Sequence, residues 1–230
     1  MGINTEQQTT TVEIKNQIPT TITSKKTFIQ DFTQLFTAKN MARIGILSAL
    51  SYVLYMFVKF SLPFMFPSWL DIQFSDIPAL LGSFAINPYA GAIIVIVKCL
   101  LKMPFTSSAC VGELVDILIG LSLVVPAGFI YRRLRTKKGA IIGMVVGTIA
   151  STIVAMLSNR LFIIPFYVQV MFNGNWAPLL NMVRALYPNI TVTTFYNYYI
   201  WLACLPFNLL RLIVVSVITT FTYKPLRVVL

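Results

Sequence analysis

The sequence predicts an all-α integral membrane protein, a bundle of six transmembrane helices with both termini on the cytoplasmic side. Three observations carry this expectation. Of 230 residues, 57% are hydrophobic and only 11% charged, with mean hydropathy +0.79, so the chain cannot present the charged surface that keeps a soluble domain in water. Its length leaves room for about five to seven apolar spans, because a helix needs about 20 residues to cross ~30 Å of hydrocarbon. Finally, twelve of the 18 basic residues behind the net charge of +11 are clustered. Lys15, Lys25, Lys26, Lys39 and Arg43 precede the first apolar run. Arg132, Arg133, Arg135, Lys137 and Lys138 fill one short loop, and Lys224 and Arg227 close the chain. By the positive-inside rule these regions are cytoplasmic, and the clustering argues against a nucleic-acid surface.

Residues 1–38 are polar, rich in Thr, Gln and Asn, and read as a disordered cytoplasmic tail rather than a cleavable signal. The membrane domain is expected over 39–230. Its first span runs from about Met41 to Phe60, and the external loop near 61–75 holds Pro63, Pro67 and the aromatics Phe64, Phe66 and Trp69. A short segment, Ile77–Ile86, turns at "NPY" into Ala90–Leu101, and the two read as a helical hairpin. Span four covers Val111–Tyr131 and ends at the basic loop; span five covers Gly139–Phe162. Pro165, Asn173, Gly174, Pro178 and Pro188 then break a second external region near 163–195, and the last span, Tyr196–Phe221, returns the chain inside.

Ionisable groups within apolar spans are costly and therefore candidates for function. Lys98, Glu113, Asp116, Arg160 and Arg211 lie in or near spans, and Asp71 and Asp76 border the first loop. Lys98, Asp116 and Arg160 either pair with one another, snorkel to an interface, or serve a ligand. Arg211 lies about fifteen residues into its span, too deep to reach water easily. Asn208, three residues before it, shares its helical face. On span five Gly139, Gly143, Gly147, Ser151, Ala155 and Asn159 recur every four residues. The small residues suit close helix packing, and Asn159 needs a polar partner in a dry bundle. Gly45 and Ala49 form another small pair, suited to packing or to docking a second membrane protein.

Catalysis is poorly supported. The chain has no histidine, and Glu113 with Asp116 is a weak acid/base pair. Its three cysteines, Cys99, Cys110 and Cys204, show no metal-binding spacing, so no metal site or resident cofactor is expected. No GxxxxGK[ST] loop is present, so concentrative transport would draw on a partner or an ion gradient.

The runs "LDIQFSDIPALLGSF", "VGELVDILIG", "RLRTKKG", "LSNRLFIIPFY" and "LPFNLLR" occur in order over about residues 41–222. Together they resemble the riboflavin-type S components of energy-coupling factor (ECF) transporters. The resemblance implies a six-helix bundle whose vitamin site opens outward, in the cell membrane, and which works with a transmembrane scaffold subunit and two ATPase subunits. It implies substrate contacts from Asn159 and Asn208, with Arg211 standing where the motif usually has lysine; Trp69, Lys98 and Glu113 complete the candidate substrate set. It also implies that Gly45 and Ala49 belong to the scaffold-docking face. Guanidinium favours a carboxylate or phosphate, whereas riboflavin is neutral, so pantothenate and a pyridoxine-type vitamin stay open beside riboflavin. A stand-alone ion-driven permease is the alternative of another class; the sequence lacks convincing internal symmetry for it.

Overall fold

The computed structural model describes residues 33, 35–67, 69–106 and 108–229, with side chains to residue 222. Most of the expected tail, and the basic side chains at 15, 25, 26, 224 and 227, lie outside the described residues.

Helix α1 spans Ala38–Phe57. It ends three residues before the expected boundary, because the chain becomes extended in β1 (Lys59–Ser61), which pairs antiparallel with β2 (Asp71–Gln73). This hairpin adds a two-stranded sheet to the expected all-α fold, at the end of the expected first span and within the expected external loop: Phe60 stands opposite Ile72, and the turn between the strands carries the loop prolines.

Helices α2 (Asp76–Ala85) and α3 (Pro88–Lys102) form the expected hairpin. Asn87 caps α3 by accepting from the Ala90 amide at 2.9 Å, and Pro88 occupies a first-turn position where its missing N–H costs nothing. A 3-10 turn, Met103–Phe105, leads into α4 (Val111–Leu134). Arg135 closes α4 in a left-handed conformation, and the Thr136 side chain caps α5 by accepting from the Gly139 amide at 3.0 Å.

α5 runs unbroken over Lys137–Met171, nine residues past the expected end. Pro165 does not break it. A proline ring clashes with the carbonyl four residues back, and the π-helical turn Asn159–Ile163 widens the helix just where that clash would fall. A second π-helical stretch, Tyr167–Met171, follows, then the short α6 (Ala177–Arg184). The last helix, α7, starts at Phe195, is π-helical over Tyr198–Cys204 and continues to Val229.

Five described helices are long and apolar enough to cross a membrane: Ala38–Phe57, Pro88–Phe105, Val111–Leu134, Lys137–Met171 and Phe195–Thr222. The sixth expected span, Ile77–Ile86, corresponds to Asp76–Ala85, which has 10 residues, about 15 Å of helix, or half the hydrocarbon thickness. α4 and α5 pack most extensively, because glycines let their backbones touch: a Cβ at Gly143 would lie 2.6 Å from the Ala127 carbonyl oxygen, and one at Gly147 would meet that of Leu123. Large apolar residues such as Ile46, Val53, Val145, Ile153 and Val217 face outward, as a lipid-facing surface requires.

Candidate functional site

Three polar assemblies lie within this apolar bundle. The deepest joins four helices. Asp76 opens α2, Lys98 lies on α3, Asp116 on α4 and Arg211 on α7. Lys98 Nζ is 2.5 Å from Asp76 Oδ1 and 3.5 Å from Asp116 Oδ2; Arg211 Nη2 is 3.0 Å from Asp76 Oδ2 and 3.1 Å from Asp116 Oδ1. Each carboxylate touches both cations, so the four charges form a closed alternating ring. All four residues are buried, Lys98 and Asp76 completely. An isolated charge here would be prohibitively costly, and the ring makes burial tolerable by pairing every charge twice. Ser75 Oγ accepts from Lys98 at 2.8 Å, and Ser51 Oγ donates to the Ser75 carbonyl, which ties the end of the loop to α1. Arg211 Nε is buried without a hydrogen-bond partner among the described residues.

The second assembly gathers around Glu113. Its Oε2 accepts from Thr106 Oγ1 at 2.8 Å and Ser108 Oγ at 3.0 Å, and its Oε1 lies 3.3 Å from Lys102 Nζ. Lys102 sits 3.9 Å above the Tyr55 ring and Lys98 5.3 Å from it, so one aromatic face adjoins both charged assemblies. The turn before α4 places Ala109 and Cys110 at φ +49° and +68°, left-handed for two non-glycine residues.

The third links the loop to α5 and α7. Trp69 Nε1 donates to the Tyr199 hydroxyl at 3.3 Å, and that hydroxyl donates to Asn159 Oδ1 at 2.8 Å. Asn159 Nδ2 donates back along α5 to the Ala155 carbonyl at 2.8 Å. Phe195 stacks on Tyr199 with centroids 5.4 Å apart, and α6 supplies Leu179, Leu180 and Val183 around it.

The candidate residues therefore fall into separate contacts. Trp69 and Asn159 meet through Tyr199; Lys98 and Arg211 meet through Asp76 and Asp116; Glu113 stands apart. Asn208, also buried, donates to the Cys204 carbonyl at 2.8 Å, one turn from Arg211 on α7. Lys98 and Asp116 pair, as one open reading had it, but Arg160 instead lies 5.5 Å from the Tyr196 ring. Tyr199 carries no sequence signal, since its partners are 40 and 130 positions away. Gly45 and Ala49 are exposed on α1, and among the described residues a Cβ at Gly45 would meet nothing within 4 Å.

Residues 39–223 match the family model of the ECF transporter, substrate-specific component. The chain belongs to this family. It is 33% identical over 188 residues to the riboflavin transporter RibU of Staphylococcus aureus (strain TCH60), covering 82% of this chain and 90% of the relative. It is 26% identical over 192 residues to the riboflavin transporter FmnP of Bacillus subtilis (strain 168), covering 82% and 92%. A solved structure described as "Structure and mechanism of the S component of a bacterial ECF transporter" aligns with TM-score 0.62 at 32% identity, over 82% of this chain and 95% of that one. This S component is thus a multi-pass helical membrane protein and part of a transporter.

Proposed function

We propose that this S component captures riboflavin from outside the cell membrane and delivers it inward together with a transmembrane scaffold subunit and two ATPase subunits. The relatives' names point to the vitamin. The observation that carries the choice is the charge-balanced ring. Arg211 was the reason to consider a carboxylate vitamin, but its charge is already matched by Asp76 and Asp116, with Lys98 completing neutrality. A pantothenate carboxylate would add an unmatched negative charge to this dry region. A neutral ring with carbonyl oxygens adds none, and the unpartnered Arg211 Nε offers a donor to such an acceptor.

In this reading the chain crosses the membrane six times with both termini inside. The α2–α3 hairpin makes one full and one half-length crossing, and the basic loop 132–138 faces the cytoplasm. Asn159, Trp69 and Asn208 then lie toward the outer side, and with Arg211, Lys98 and Glu113 form the substrate region. Gly45 and Ala49 face the scaffold subunit: a glycine whose Cβ would meet only open space is not used for packing among the described residues. The test is purification and titration. Purified protein should carry or take up a yellow, flavin-absorbing ligand, and Asn159→Ala and Asn208→Ala should each weaken it. Two alanine variants that bind riboflavin as tightly as wild type would reject the site.

A further inference from the structure

The hydrogen bonds around Asn159 show more than that an amide is present. A tryptophan N–H can only donate, so Tyr199 oxygen accepts from Trp69, and its single proton is free for Asn159 Oδ1. A backbone carbonyl can only accept, so Ala155 takes an Nδ2–H. Both ends of the carboxamide are therefore held by partners that fix which end is oxygen and which is nitrogen. One Nδ2–H is left over. Tyr199 is itself immobilised: it is fully buried, stacked on Phe195 at an interplanar angle of 15°, and packed 5.9 Å from the Trp69 ring. Trp69 belongs to the segment between β1 and β2, whose sequence end leads through Ser75 into the charged ring.

We propose that Tyr199 is a positioning residue for ligand capture: its hydroxyl holds the Asn159 carboxamide in one orientation and ties that orientation to Trp69 of the β1–β2 loop. The orientation of Asn159 and the Trp69 contact are then linked, because the same hydroxyl serves both. The remaining Nδ2–H makes Asn159 a donor toward a ligand carbonyl. This inference rests on the reading of Asn159 as a substrate contact.

Equilibrium titration with riboflavin, followed by the vitamin's own fluorescence, tests it in the purified full chain. Tyr199→Phe keeps the stacked ring and removes only the hydroxyl, and it should weaken binding about tenfold while its thermal unfolding in detergent stays close to that of wild type. The deciding measurement is coupling. With Tyr199 present, Trp69→Phe and Asn159→Ala should be non-additive in their effects on the dissociation constant; in the Tyr199→Phe background they should become additive. Wild-type binding that Tyr199→Phe leaves unchanged, or additive effects in both backgrounds, overturns the proposed role of Tyr199 and leaves the vitamin assignment standing. A wild-type chain that binds no riboflavin overturns both.

Discussion

At the scale of single residues, the four buried charges are the feature most sensitive to substitution. Arg211 Nη2 bridges Asp76 and Asp116, so Arg211→Leu leaves the ring with an unmatched negative charge. Breaking a buried pair in this way costs roughly 3–5 kcal/mol, and thermal unfolding in detergent should show a large loss of stability. The double variant Arg211→Leu/Asp116→Asn restores neutrality and should recover much of that loss; a double variant no better than the single would refute the charge-balance account. Arg211→Lys keeps the charge and should retain most of the riboflavin affinity, as measured by titration. The sequence marked Lys98, Asp116 and Arg211 individually, because an ionisable side chain in an apolar run stands out by composition. It did not reveal the ring, whose members come from four helices, nor the Trp69–Tyr199–Asn159 chain, because contacts between distant segments leave no periodicity to read.

At the scale of elements, two stripes of small residues that look alike in sequence have opposite surroundings. Gly143 and Gly147 abut the backbone of α4, whereas among the described residues Gly45 faces open space beside a cavity of about 330 Å³ lined by residues including Ile44, Ala49 and Val97. Gly143→Leu should therefore destabilise the isolated protein, measured by its unfolding temperature, while Gly45→Leu should leave both stability and riboflavin binding intact. Gly45→Leu should instead abolish co-purification with the scaffold subunit. Equal loss of vitamin binding and scaffold association in Gly45→Leu would mean that the pair serves the fold. Helix positions were legible from apolar runs, from the turn at "NPY" and from the basic loop at 132–138. The passage of α5 through Pro165 was not, because the rule that proline ends a helix assumes regular α geometry, and the π-helical turn at Asn159–Ile163 relaxes it. The three-residue strands β1 and β2 were hidden for a different reason: their pairing is set by the ends of the loop meeting, and each strand is too short to show alternation.

At the scale of the whole molecule, the sequence contains no GxxxxGK[ST] run of the kind that cradles nucleotide phosphates. Reconstituted alone in vesicles, the protein should bind riboflavin without accumulating it, and concentrative uptake should appear only when the scaffold and ATPase subunits are added. Uptake by the lone chain against a gradient would instead favour an ion-driven permease. The central claim is that a charge-neutral interior selects a neutral vitamin, and a paired titration of the purified wild-type chain with riboflavin and with pantothenate addresses it most directly. The account predicts saturable one-to-one binding of riboflavin that excess pantothenate does not displace. Saturable binding of pantothenate, with none of riboflavin, would contradict it.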